Sequence, residues 1–312
     1  MVTWQDSMSF ADLAADSAVH RDPAVAGRFR LDITDHWDYL LPSGGYVMTL
    51  ALRAAEAAIA DPLLRLASAT TVFATPIHPG PAIADVHVIR RGKSTAQVRV
   101  ALRSTAPPRS EVADDDAGVE LLSTWVRDRH GPDVRVVAPP VVPGVGEAAD
   151  AFDTAANNPH ARFRFYKQLD CRIADGAAFW SEAFDAGPAR YARWFRYRAP
   201  QRDAAGRFDR LALPPIVDTM PTALHRAIGP GPYRFYAPSL DLTLYVVDDT
   251  TREWLLVDVE LVRARMGWGV AQARVWDDEG RLIAHGSQAM YLHSLSGEPP
   301  VVDATGRRAI VR

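Results

Sequence analysis

The residues of this chain that could do chemistry do not fall into a familiar short motif. Arg91-Gly92-Lys93-Ser94 has the ending of a phosphate-binding loop, but His87 stands where that loop needs its first glycine. Gly267-Trp268-Gly269 opens like a dinucleotide fingerprint, yet Gln272 takes the place of the third glycine and the setting reads strand to strand. No Gly-x-Ser-x-Gly elbow is present, which argues against a serine hydrolase of the α/β-hydrolase kind. The nine histidines are scattered without zinc-ligand spacing, so His36 and His78 read as structural or surface residues. Asp114-Asp115-Asp116, close to Pro107-Pro108-Arg109, reads as a solvated turn with nothing nearby to complete a calcium sphere. A single cysteine, Cys171, excludes an intramolecular disulfide and any multi-cysteine metal site. No metal and no cofactor are expected.

The partners are bounded by composition. A net charge of −3 offers no field for a polyanion, so nucleic acid is not an expected partner. With 48% hydrophobic and 23% charged residues the chain has the balance of a globular protein. No apolar run approaches the roughly 18 residues of a membrane span, and Met1 to Asp6 lacks the basic and apolar regions of a signal peptide. The expectation is a cytoplasmic protein with no membrane contact.

What positions the reactive residues is a repeat. Gly92 opens a run ending Ala96-Gln97-Val98-Arg99-Val100, and 175 residues later Gly267 opens one ending Ala271-Gln272-Ala273-Arg274-Val275. Each run follows an alternating strand, has a helix-like segment upstream, and ends in a further strand. The first copy begins with a strand in which Phe29, Leu31 and Ile33 alternate with polar residues. Pro42-Ser43-Gly44-Gly45 then leads into an alanine-rich helix over 46–60, whose small side chains let a sheet approach closely. Strands follow over 69–74, 83–103 (bent near Gly92) and 119–127. The second copy runs from the aromatic and basic strand Tyr191 to Arg198, through a helix over 218–228, to strands over 239–247, 253–265, 269–276 and 282–292. Between them, Val137 to Gly146 is a proline-stiffened linker, and 152–188 reads as irregular, aromatic-rich and packed across the back of the pair. The predicted architecture is α+β, with each unit a helix laid on a curling antiparallel sheet. Pairing the units edge to edge removes an exposed edge strand and places a site where the copies meet.

Strand, Gly-Gly, buried helix and four strands, occurring twice, resemble the double hotdog fold. The wording is similar to the acyl-CoA thioesterase II (TesB-like) family. In the first copy the match lies in Pro42-Ser43-Gly44-Gly45-Tyr46 and Arg90-Arg91-Gly92-Lys93-Ser94. In the second it lies in Pro215-Ile216-Val217-Asp218, Ser239-Leu240-Asp241 and Gly286-Ser287-Gln288. The resemblance covers about residues 28–292. It implies an N-terminal hotdog over 28–128, a linker over 129–189 and a C-terminal hotdog over 190–293 carrying the catalytic residues. It also implies hydrolysis of an acyl-CoA thioester to a carboxylic acid and coenzyme A, in a homo-oligomer built as a dimer of double hotdogs.

By motif position, the water-holding Asp, Thr or Ser, and Gln of that family fall on Asp218, Ser239 and Gln288. A thioester carbonyl is electrophilic enough for a water aligned by hydrogen bonds to attack it. Asp218 would act as general base or orient the water, with Ser239 and Gln288 fixing it. Gly44, Gly45 and Tyr46 would meet the substrate, with free N–H groups at the helix start stabilising the oxyanion. Arg91 and Lys93, on a bend expected beside the site, would meet the coenzyme A phosphates. Each residue also has a plainer reading. Asp218 can cap a helix that has Pro221 in its first turn, Ser239 can open a strand, and Gln288 can face outward. Gly44-Gly45 can be a turn, and Arg91 and Lys93 a solvated strand face. The alternatives on the same scaffold are an acyl-thioester binder that does not hydrolyse, or a hydratase or dehydratase, which would need an Asp/His pair.

Overall fold

The structure is a computed structural model, and it describes residues 10–105, 118–151, 162–178, 181, 184–303 and 305–307. The turn with Pro107-Pro108-Arg109 and Asp114-Asp115-Asp116 lies outside the described residues. In chain order the first half holds α1 (Leu13–Asp16), β1 (His20–Arg21), β2 (Arg28–Ile33), α2 (Gly44–Ile59), β3 (Arg65–Phe73), β4 (Gly80–Arg91), β5 (Thr95–Ser104) and β6 (Val119–Val126). The connection holds β7 (Ala149–Asp150), α3 (Arg164–Lys167) and β8 (Leu169–Asp175). The second half holds β9 (Arg190–Tyr197), α4 (Leu213–Val217), α5 (Pro221–Ile228), β10 (Arg234–Tyr236) and β11 (Asp241–Val246). It closes with β12 (Leu255–Arg265), β13 (Trp268–Asp277), β14 (Leu282–Tyr291) and β15 (His293–Ser296).

Among the described residues thirteen strands form one sheet in the order β1-β2-β4-β5-β6-β3-β11-β14-β13-β12-β9-β8-β7. Every pairing in it is antiparallel. The two halves read as mirror orders about the β3–β11 seam, where Thr70 lies opposite Thr243 and their hydroxyls are 3.0 Å apart. The repeat extends to irregularities, since β4 bulges between Val88 and Arg90 and β12 between Leu261 and Arg263. Both halves bury their inner faces in one core that includes Leu50, Leu52, Val98, Leu121, Leu244 and Val275.

Helix α2 is central in the first half. The Ser43 hydroxyl accepts the Tyr46 N–H, and the helix stops at Ala60, whose left-handed φ of 50° ends the hydrogen-bond ladder. Leu50, Ala51, Leu52, Ala54 and Ala55 are all fully buried, as an alanine-rich helix permits when a sheet wraps it.

Two expectations are corrected. The helix expected over 218–228 begins only at Pro221, as α5, while a separate helix α4 ends at Val217 with Asp218 at its C-terminal cap. Pro221 has no N–H to donate and its ring crowds the preceding turn, so the ladder stops before it. Nor is the stretch before the second half merely irregular. Its strand β8 pairs with β9 and widens the sheet, while Phe165 and Tyr166 in α3 pack on Tyr39 at ring distances of 4.6 and 5.6 Å. These aromatic rings tie the connection to the first half beside the start of α2, where Trp37 and Tyr46 also lie in contact.

Candidate active site

The start of α2 touches the end of α4, and glycine makes that contact possible. A Cβ on Gly45 would lie 2.3 Å from the Pro214 carbonyl oxygen and 2.5 Å from the Pro215 Cα, both rigid backbone atoms. One on Gly44 would meet the Phe73 ring at 2.9 Å and Asp218 Oδ2 at 3.0 Å. The close approach served by the glycine pair is therefore that of the other half of the chain, which brings Asp218 to the helix start.

Asp218 is the centre of a hydrogen-bonded cluster. Its Oδ2 accepts the Gly45 N–H at 2.8 Å, and its Oδ1 accepts the Ser239 hydroxyl at 2.8 Å and the Gln288 Nε2 at 2.5 Å. Gln288 Nε2 also donates to Ser239 Oγ. Two neighbouring strand segments deliver these side chains. Ser239 precedes β11 and is held against β14 by Leu240 N–H to Ala289 O and Tyr291 N–H to Pro238 O. Gln288 lies on β14, where Gly286, Gln288 and Met290 form the inward-facing set. Asp218 and Gln288 are buried while Ser239 is half-buried, so the hydroxyl is on the open side of the cluster. Burial pushes the Asp218 carboxyl up to about 6, against the opposing hydrogen bonds from Ser239, Gly45, Gln288 and Gly44. Gln288 Oε1 is buried and has no hydrogen-bond partner among the described residues. It leaves an acceptor free to take a hydrogen bond from a bound water.

Three expected contacts lie elsewhere. Tyr46 is fully buried and its hydroxyl donates to the Asp16 carbonyl at 2.8 Å, so it is a core residue facing away from Asp218. Arg91 donates to the Ile59 carbonyl at 2.6 Å and faces Asp61, which puts it at the C-terminal end of α2. Lys93 is exposed on the adjoining turn. At 1.5 Å per residue, the 16 residues of α2 place that end about 24 Å from the cluster. The Gly92 bend is thus not beside the site. The N–H groups expected to be free for an oxyanion are engaged as well, since Gly45 donates to Asp218.

The structure adds residues that no spacing indicated. Tyr39 is half-buried, and burial, Tyr166 and the Asp218 charge hold its hydroxyl well above its ordinary range. Tyr236 is shifted upward by burial and by the same carboxylate. Both reach the site through tertiary packing, so no local signal in the sequence marks them. Among the described residues no cluster of His, Cys, Asp and Glu could hold a metal, and no histidine bonds Asp218. The arrangement is a carboxylate tuned toward neutrality with a hydroxyl and an amide sharing one of its oxygens, which suits orienting and deprotonating a water.

The family description "Acyl-CoA thioesterase N-terminal domain" matches residues 33–115, and "Acyl-CoA thioesterase C-terminal domain" matches residues 146–292. Among solved structures, a hot dog fold protein from Alicyclobacillus acidocaldarius superposes with a TM-score of 0.71 at 18% identity, covering 93% of this chain and 98% of its own. Acyl-CoA thioesterase II TesB2 from Mycobacterium marinum gives 0.67 at 18% identity, covering 92% and 100%. The tesB protein of Mycobacterium avium subsp. paratuberculosis gives 0.65 at 17% identity, covering 90% and 97%. No match was found among curated protein sequences. At these identities the solved structures speak for the double hotdog fold, while the two domain matches together span most of the chain. The chain therefore belongs to the acyl-CoA thioesterase family, with a TesB-like double hotdog fold, and is a thioester hydrolase.

Proposed function

We propose that Asp218, Ser239 and Gln288 hold and activate the water that hydrolyses the acyl-CoA thioester. The observation that carries this reading is the buried Asp218 carboxylate, pushed up to about 6 and hydrogen-bonded to both partners. In this reading the water oxygen forms a bond to the thioester carbon while its proton passes to Asp218. The tetrahedral intermediate collapses with cleavage of the carbon–sulfur bond. The coenzyme A thiolate leaves as a thiol after taking the proton back from Asp218, and the carboxylic acid is released. Ser239 and Gln288 orient the water, and Gly44 and Gly45 seat the carboxylate.

The test is thiol release from a panel of acyl-CoA substrates by the wild type and Asp218→Asn. The wild type should turn over and the variant should lose most of that rate. A variant that folds and retains turnover would remove Asp218 from the mechanism, and a wild type that binds acyl-CoA without thiol release would be a binder instead.

We further propose a cytoplasmic enzyme of lipid metabolism acting as a dimer of double hotdogs. The dimer is supported by Val72, Leu122 and Tyr245, apolar side chains left exposed on the outer face near the β3–β11 seam. The single free Cys171, which is buried, is compatible with the cytoplasm. Light scattering on the wild type and Leu122→Lys tests the assembly, and a monomeric wild type would exclude it.

A further inference from the structure

Among the described residues, Arg193 is a buried cation with no paired anion. It is 97% buried, on the inner face of β9, and among the described residues no carboxylate pairs with it. Its Nη1 donates to the Tyr166 hydroxyl at 3.3 Å, while Nη2 is buried without a hydrogen-bond partner among the described residues. Three rings surround the guanidinium, Phe195 at 4.8 Å, Tyr191 at 5.6 Å and Tyr166 at 6.0 Å. The Cys171 thiol interacts with the guanidinium but does not supply the missing charge, because burial pushes it up to about 12. Tyr191 is likewise held protonated by burial.

The other half of the molecule shows that the fold does not require this cation. Arg28 lies opposite Asp85 and Ala192 lies opposite Asp258, and those two aspartates stand at the same distance before the matching bulges of β4 and β12. Arg193 therefore occupies the place of Phe29, which is simply buried apolar core. Aromatic faces soften the burial of a guanidinium, but its remaining N–H groups still seek an acceptor.

Arg193 is also close to the chemistry. Its partner Tyr166 packs on Tyr39, and the Tyr39 hydroxyl lies within the fields of Asp218, Tyr166 and Arg193 together. Tyr39 stands on the loop closed by the Asp38–Pro42 bridge that runs into Gly45, whose N–H holds Asp218, so the two tyrosines lie on the way from that carboxylate to the guanidinium. Resting on the thioesterase chemistry above, we propose that Arg193 is a specificity residue that receives a carboxylate at the far end of the acyl chain. The preferred substrates are then the mono-thioesters of dicarboxylic acids. Tyr166 and Tyr39 supply hydroxyls along the path, and a planar guanidinium can bind a carboxylate through two parallel hydrogen bonds.

The experiment compares kcat/KM for pairs matched in carbon number: butanoyl- with succinyl-CoA, hexanoyl- with adipoyl-CoA, and octanoyl- with suberoyl-CoA. In the wild type at least one dicarboxylic member should be favoured by tenfold or more, mainly through KM. In Arg193→Met that ratio should fall at least tenfold, and Arg193→Lys should recover part of it. A wild type favouring the plain acyl chain in every pair overturns the proposal whatever the variants do. So does a preference that survives in Arg193→Met. If neither variant folds, the wild-type ratios decide alone. A wild type inert on both series would instead count against the thioesterase chemistry, so the two failures are distinguishable.

Discussion

Asp218 must be both buried and negative to accept a proton from water, and its surroundings balance the two. Desolvation raises the carboxyl to about 6, and donors from Ser239, Gly45, Gln288 and Gly44 keep it from rising further. Turnover should therefore increase as pH rises through about 6, because below that the carboxyl is protonated and cannot act as a base. Ser239→Ala removes a donor to the charged form, so the same limb of the pH–rate profile should move to higher pH. An unmoved limb would separate Ser239 from the ionisation of Asp218. The linkage to stability has the opposite sense. A folded-state value raised above 3.8 favours the folded form below about pH 4, and that contribution is lost as pH rises to about 6. At pH 7 the charge is thus a cost, and relative to the wild type Asp218→Asn should gain about 1–3 kcal/mol between pH 4 and pH 7. It should also cut kcat by about 10²- to 10⁴-fold. Calorimetry at pH 7 and pH 4 checks the sign, since the gain should appear at the higher pH and fade at the lower.

The elements bring this carboxylate into place through one close contact, and the two glycines in it should respond differently to substitution. In Gly45→Ala the new methyl meets the Pro214 carbonyl and Pro215 Cα, which cannot turn aside, so α2 and α4 must separate. A cost of about 1–3 kcal/mol is expected, with loss of activity as Asp218 loses its seat. In Gly44→Ala the nearest atoms belong to the Phe73 ring and the carboxylate itself, so stability should fall less than activity. Thermal melts beside initial rates would show whether the two variants separate in this way. Much of this level was readable in the sequence. Phe29, Leu31 and Ile33 alternate because β2 has one buried face, and the alanine-rich run over 46–60 is helical because alanine favours helix and lets the wrapped sheet come close. The repeat at Gly92 and Gly267 marked corresponding turns. The motif positions of Asp218, Ser239 and Gln288 do converge, but the repeat concealed the helix break that Pro221 imposes. Gly44 and Gly45 were legible as a close approach, though not the partner approaching. Arg91 and Lys93 were misplaced because sequence order does not say which end of α2 the β4–β5 turn meets. Tyr39 and Arg193 were invisible, since what distinguishes them is their neighbours.

At the scale of the whole molecule, the site exists only while the two halves stay joined, and the seam is held by charge as well as by strand pairing. Asp249, in the second half, accepts from Arg65 of β3 and from Arg210 Nε at 3.0 Å, while Arg210 also donates to the Leu66 carbonyl of β3 at 2.7 Å. Burial opposes the charge on Asp249, but these arginines outweigh it and hold the carboxyl down at about 2. A depressed value stabilises the folded form above the unfolded value of 3.8, and that contribution is lost as pH falls toward 2. Acid should therefore weaken the seam in the window between about 4 and 2. Asp249→Asn should cost about 1–3 kcal/mol at pH 7, a range that already allows for solvent screening of a side chain 25% exposed. The gap between variant and wild type should narrow as pH falls toward 2, where the folded carboxyl is about half protonated. Because β3 and β11 share the sheet that carries Ser239 and Gln288 to Asp218, thiol release should fall along with stability in the variant. Denaturant melts of both proteins across pH 2 to 7, read with activity, test the account. A stability gap that stays constant down to pH 2 would show that the ion cluster does not hold the halves together.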